Sequence, residues 1–457
     1  MSRPGPAAGP LRVRRRHARR TGAALAIVLG FVAAAVGWIS PTASPAATQP
    51  LRATEIGITD REVRIAVVAD VDTPLAPGLF GGSVDAVQAF ARTVNDLGGI
   101  AGRRLVVDFY DSRLNPADTL NALIRACTND FAIVGTTALF VNNTDPIVKC
   151  KDKAGNETGI PDLPELNTDP AHQRSPVSYP LIGIQRDYAE SAHETYTVNV
   201  GPERWLLARY GKLTGVWLHA SDLKSSKYGN LPSFVASQRI GITKDAEFDV
   251  SALTTQAGYT PYVQAIKDHK STYARSGLDV SSTIRLRKEA AIQGVTSVKA
   301  WDCSLQCYDR RLITEGGKDV EGEYVWVPFL PLEEANQNPA LARYVNAVGR
   351  DKANGFGIQA WASAMLFKQV VDGIVARDGI NALTRERFLD AISQVSDFDA
   401  DGMIGTMHPG DRRVTSCYVL LQVRHGKFRR VHPTKAGTFD CSPTNLVTLR
   451  ADLEGGS

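Results

Sequence analysis

From Val63 onward, apolar runs of strand length alternate with segments of helical periodicity, and no other feature of the 457-residue sequence narrows the available folds as much. Val63-Arg-Ile-Ala-Val-Val-Ala69 is a nearly continuous apolar run, as a strand covered on both faces requires. Ser83 to Leu97 then sets Val84, Val87, Phe90, Ala91, Val94 and Leu97 on one helical face. Gly98-Gly99 stops that helix, because glycine readily takes the left-handed conformation beyond a helix end. Leu105 to Phe109 reads as the next strand. Asn115-Pro116 supplies a cap and a first-turn proline for a second helix, whose stripe is Leu120, Leu123, Ile124 and Cys127. Phe131 to Val134 follows as a third strand. Strand–helix–strand order of this kind produces a parallel sheet with right-handed crossovers.

The pattern loosens between Cys150 and Pro180, where Pro161, Pro164, Pro170, Pro176 and Pro180 break any long element. A second alternating series begins near Trp205. Its strands are expected at Leu213 to Leu218, Ala246 to Val250, Ser297 to Trp301 and Tyr324 to Val327, with helices between them. Pro328 to Pro331 reads as a crossing back to the first domain, which gains helices at Leu341 to Val348 and Ile358 to Val375. Val414 to Val423 and Phe428 to Val431 flank Arg424-His-Gly-Lys427 as a terminal hairpin. The expected division is residues 60–185 and 331–435 in lobe 1, 186–330 in lobe 2, and 436–457 as a tail.

Charge is unevenly placed. Seven of the 52 Lys and Arg side chains lie in residues 1–20, so residues 21–457 carry 45 basic against 48 acidic groups. A nucleic-acid footprint belongs on a folded body, and this body is slightly acidic, so no nucleic-acid partner is expected. Residues 1–50 read as an export segment with a Pro/Ala-rich linker. The arginines precede the uncharged run Ala23 to Ile39, followed by small residues and prolines. Its length lies between that of a cleaved signal and that of a membrane span, so both remain open, and either places the rest of the chain outside the cytoplasm. In that oxidising setting Cys127, Cys150, Cys303, Cys307, Cys417 and Cys441 read as disulfides, with sequence neighbours the natural pairs. A metal site is the competing reading, but Cys-x-x-x-Cys with no second pair nearby is poor zinc spacing.

Six stretches, taken in order, carry a resemblance. They are Ile65 to Gly78, Val94 to Arg103, Asp111 to Asp118, Ala132 to Ala138, Ser226-Lys-Tyr-Gly229 and Asp399 to Thr406. Residues about 60–435 resemble the type 1 periplasmic binding proteins, specifically the branched-chain amino-acid-binding (leucine/isoleucine/valine) branch that serves ABC importers. The resemblance implies an α/β two-lobed clamshell, each lobe a mostly parallel sheet flanked by helices, with several hinge crossings and the ligand held between the lobes. It also implies that Thr136, Thr137 and Ala138 meet the ligand's carboxylate, and that the Asp72 to Phe80 loop, with Pro77 and Phe80, walls the pocket. Tyr228, Trp301 and Asp302 would contribute from the opposite lobe. Turn formation competes as the role of the two threonines and of Tyr228. The acid that holds a ligand ammonium in this family would fall in Trp326 to Leu330, where this chain has none; Asp302 would take its place, with helix capping as the alternative.

Enzyme signatures are missing from the sequence: there is no Gly-x-Ser-x-Gly elbow, His-Glu-x-x-His or phosphate-binding loop, and the eight histidines have no ligand spacing. The expected function is therefore non-catalytic, without cofactor or metal. It is an exported solute-binding protein that captures a small polar ligand of the amino-acid or amide type and delivers it to an ABC permease. A receptor-like ligand sensor with the same fold is the alternative.

Overall fold

The computed structural model describes residues 49–73, 77–187, 195–222 and 224–450. The arginine-rich segment and the apolar run 23–39 lie outside the described residues. No helix among the described residues is long and apolar enough to cross a membrane.

The first alternating series forms β1 (Glu62–Ala69), α1 (Gly81–Asp96), β2 (Arg104–Asp111), α2 (Pro116–Asn129) and β3 (Ala132–Val134). Two short helices, α3 (Asp145–Val148) and α4 (Pro170–Arg174), bracket the two-residue β4 (Asp162–Leu163). All four strands are parallel, in the order β2-β1-β3-β4, with Ile65 opposite Val107 on one side and Ala132 on the other. Ile65 to Ala69 are fully buried, which explains why the run carries no polar alternation.

The chain then passes through β5 (Arg186–Asp187), β6 (Thr195–Asn199) and α5 (Gly201–Tyr210). The second series follows: β7 (Thr214–Ala220), α6 (Lys224–Arg239), β8 (Thr243–Val250), α7 (Thr260–His269), β9 (Tyr273–Gly277), α8 (Val280–Ile292), β10 (Ala300–Cys303), α9 (Arg310–Gly316) and β11 (Glu323–Val327). It returns to the first sheet as α10 (Pro339–Val348), α11 (Gly355–Asp378) and α12 (Arg385–Ile392). Helix α11 starts where the Asn354 side chain accepts from the Gly357 amide at 2.8 Å, and it is apolar nearly all round because it is enclosed by α1, α12 and β3. Trp361 lies edge-on to Phe90 of α1, with ring centroids 5.1 Å apart. The chain ends with β12 (Val419–Val423), β13 (Phe428–His432) and β14 (Leu446–Arg450).

The second sheet has the order β13-β12-β11-β10-β9-β7-β8, parallel from β8 to β11. Both lobes are thus α/β layers with parallel-dominated sheets. The hairpin expected in lobe 1 departs from that assignment. Strand β12 pairs antiparallel with β11, Leu420 facing Trp326, so the hairpin extends the second sheet. The reason is burial: Val419, Leu420, Leu421 and Val423 all need cover, and the outer edge of β11 offers it. The expected tail also contains a strand, β14, which pairs with β6 in a third, antiparallel sheet β14-β6-β5. Two smaller differences concern helix faces. Leu97 caps α1 and is 83% exposed, and the buried face of α2 is Thr119, Ala122, Leu123 and Ala126, leaving Ile124 outside.

Each cysteine bonds its sequence neighbour: Cys127–Cys150, Cys303–Cys307 and Cys417–Cys441. The first joins the end of α2 to the segment before β4, where the buried Arg385 guanidinium donates to the carbonyls of Cys127, at 2.8 Å, and Lys151, at 2.9 Å. Converting both Cys127 and Cys150 to serine should lower unfolding free energy by roughly 3 kcal/mol, as expected for a loop of this length. Urea denaturation of the double variant against the oxidised parent measures this; a loss below about 1 kcal/mol would mean that the loop is held by its packing instead.

Candidate functional site

In a parallel sheet every strand delivers its carboxyl end to the same edge, and ligands of such sheets sit beyond it. Here the two sheets share one cleft, with a cavity of about 420 Å³ between their strand ends. From the first sheet come residues following each strand: Phe80 after β1, Leu114 after β2, Leu139 after β3, and Glu165 to Thr168 after β4. The second sheet supplies Asp222 after β7, Ala252 after β8, Leu278 to Ser282 after β9, and Ser304 to Gln306 after β10. Trp326 and Pro328 close the floor at the end of β11.

Asp70, wholly buried at the end of β1, ties the first-lobe loops together. Its Oδ1 accepts from Ser112 Oγ at 2.6 Å and the Leu114 amide at 2.7 Å, and its Oδ2 accepts from the Leu139 amide at 2.8 Å. One carboxylate therefore fixes the backbone of two residues that line the cavity. Gly135, with φ at 74°, makes the turn between β3 and Leu139; a Cβ there would lie 3.1 Å from Val87 and 3.2 Å from Ala360.

The expected site residues divide. Pro77 and Phe80 line the cavity, Phe80 lying edge-on to Phe356 with centroids 4.9 Å apart. Thr136, Thr137 and Ala138 do not line it. All three are buried, and the Thr136 hydroxyl donates at 2.8 Å to Asp162, which also accepts from Ser178 Oγ at 2.7 Å and faces His172 Nε2 at 2.6 Å. The Thr136 hydroxyl is internal because β4 brings the buried Asp162 carboxylate beside it. Trp301 is likewise behind the wall, stacked 4.5 Å from the Arg287 guanidinium; the tryptophan at the cavity is Trp326, whose indole N–H has no partner among the described residues. Asp302 is engaged within the second lobe. It accepts from the Tyr273 hydroxyl at 2.6 Å and lies 3.4 Å from Arg275, which also pairs with Glu203. That carboxylate is not placed to meet a ligand. Tyr228 belongs to α6, but its side chain lies outside the described residues; its neighbours Gly229 and Asn230 line the cavity.

Sequence reasoning missed Arg275, Arg285 and Arg311. Arg275 sits on β9, a strand that has no apolar signature. The Cys303–Cys307 disulfide frames the cavity loop Ser304 to Gln306, a consequence that its short spacing already contained. Among the described residues no cluster of His, Cys, Asp and Glu is arranged to hold a metal.

Glu165 is the ionisable group of the first-lobe wall. Burial pushes its carboxyl well above the usual range, partly offset by hydrogen bonds from Ser83 Oγ at 2.7 Å and Gln359 Nε2 at 3.2 Å. The neutral acid is thus favoured in the fold. Because the unfolded chain ionises near 4.5, the native state binds more protons above that pH, and this group's contribution to stability falls as pH rises. Melting temperatures taken from pH 5 to pH 8 should accordingly drop less for Glu165→Gln than for the parent. Parallel pH profiles would contradict a neutral Glu165.

A family profile described as periplasmic binding protein matches residues 62–427. No curated protein matches the sequence. Among solved structures, a fatty acid ABC transporter substrate-binding protein from Thermomonospora curvata superposes with a TM-score of 0.64 at 15% identity, covering 84% of this chain and 97% of its own. An ABC transporter substrate-binding protein from Aeropyrum pernix gives 0.63 at 15% identity, covering 84% and 97%. A leucine-binding protein from Thermotoga maritima gives 0.61 at 16% identity, covering 81% and 97%.

Proposed function

Because the chain belongs to the periplasmic binding protein family, we propose that it works outside the cytoplasm as the substrate-binding component of an ABC importer, capturing a small molecule between its lobes and presenting it to a membrane permease. The observation that carries this reading is the placement of the cavity, which is walled by the carboxyl-terminal loops of both sheets and by no single lobe alone. A ligand touching both walls binds the closed arrangement better than the open one and shifts the population toward it. The chain passes between the sheets more than once, after β4, after β11 and after α12, so opening bends several connections together. Export by the arginine-rich and apolar segment at residues 1–39 is part of the same reading.

The solved relatives include proteins named for a fatty acid and for leucine, so the shared fold does not choose a ligand. That choice rests on the lining residues of this chain. An amino-acid or amide ligand would find hydrogen-bonding groups at Asn167, Gln173, Asn230 and Gln306.

Purified protein mixed with amino acids, amides, small sugars and apolar acids should show a rise in melting temperature with at least one class, since binding to the native state alone raises apparent stability by about 2.7 kcal/mol at a hundred times Kd. No shift with any class, together with no copurified small molecule by mass spectrometry, would remove the solute-binding reading.

A further inference from the structure

The cavity's contents are more specific than its family membership. Its volume of about 420 Å³ is roughly three times the ~150 Å³ void that holds a benzene ring, and it falls among sites that take ligands well above the size of a free amino acid. The first-lobe wall is built largely of Leu79, Phe80, Leu114, Leu139, Leu166 and Phe356. Its one ionisable member among the described residues, Glu165, favours the neutral form. Every arginine and aspartate among the described lining residues comes from the second lobe instead.

Most of those charges are already engaged. Arg275 faces both Glu203 and Asp302. Arg311 makes a forked pair with Asp309, with contacts of 2.6 and 3.1 Å. Asp279 accepts from the amides of Ser281 and Ser282 at the start of α8, and Asp222 accepts from Ser251 Oγ and the Ala252 amide. Arg285 is different. This half-buried guanidinium donates from Nη1 to the Ala252 carbonyl at 3.3 Å and lies beside the Tyr259 hydroxyl, and among the described residues no carboxylate forms an ion pair with it. It retains donors in a fork that matches a carboxylate.

We propose that the ligand is an amphipathic carboxylic acid larger than an amino acid, with its hydrocarbon body in the apolar part of the cleft and its carboxylate received by Arg285 of the second lobe. The inference rests on the solute-binding reading above and adds the class of solute. Apolar burial supplies most of the affinity, at roughly 25 cal/mol per Å² removed from water, and Arg285 selects the head group. The polarity is the opposite of that implied by the Thr136-Thr137 loop, where the Thr136 hydroxyl is already given to Asp162 within the first lobe.

Isothermal titration with decanoate, decanol and leucine, on the parent and on Arg285→Gln and Arg285→Lys, tests this. Decanoate should bind more tightly than leucine, and about ten-fold or more tightly than decanol, the range of a charge-assisted hydrogen bond. Arg285→Gln should erase the preference for decanoate over decanol without weakening decanol, and Arg285→Lys should keep part of it. Equal melting temperatures would confirm that both variants fold. Tighter binding of leucine, or a preference for decanoate that survives Arg285→Gln, would overturn the inference and leave the solute-binding reading in place. Failure of every solute class would overturn both.

Discussion

Parallel strand pairing is the constraint on which the rest of this molecule depends. With β1 hydrogen-bonded to β2 and β3 in the same direction, the loops after all three emerge at one edge, and the second sheet does the same with β7 to β11. Polar backbone in those loops must be satisfied without a neighbouring strand, and Asp70 does this at the first edge by accepting from the Leu114 and Leu139 amides, with the Ser112 hydroxyl as a third donor. Two of the first-lobe loops that line the cleft are thereby fixed by one buried group. Burial raises the pKa of Asp70, and the three hydrogen bonds work against the shift, so the carboxylate is held by the loops that it holds.

The two lobes solve the problem of buried charge differently, and the difference shapes the site. Around Glu165 the first lobe favours a neutral acid. The second lobe places a guanidinium, Arg275, in the middle of its sheet against two carboxylates, with the Tyr273 hydroxyl donating to Asp302. Such a buried cluster is weak evidence for stability, because desolvation offsets much of the attraction. Its consequence for function is clearer: Arg275 and Asp302 face each other within the second lobe, and recognition of a charged group passes to Arg285 in the cavity lining.

Much of the fold was legible in the sequence because its strands are apolar runs and its helices carry stripes. The first three strands and α11 needed no tertiary information. Strand β9, Tyr273-Ala-Arg-Ser-Gly277, was not legible, since its arginine is neutralised by Glu203 and Asp302, residues distant in sequence. The edge partner of the terminal hairpin was hidden for a similar reason: a local pattern shows that a hairpin forms, not which sheet it joins. At the site, Pro77 and Phe80 lie at the cavity where the resemblance led one to look. Thr136 and Asp302 do not, because each has a buried partner that only the assembled lobe provides. The cavity arginines had no motif to announce them.

The central claim is that one ligand contacts both lobes at once. Hydrogen exchange of the backbone amides, followed by mass spectrometry with and without saturating ligand, tests it most directly. The account predicts slowed exchange in the first-lobe loop Leu139 and Glu165 to Thr168 together with the second-lobe segments Leu278 to Ser282 and Ser304 to Gln306. Protection confined to one lobe, or located away from these loops, would contradict it.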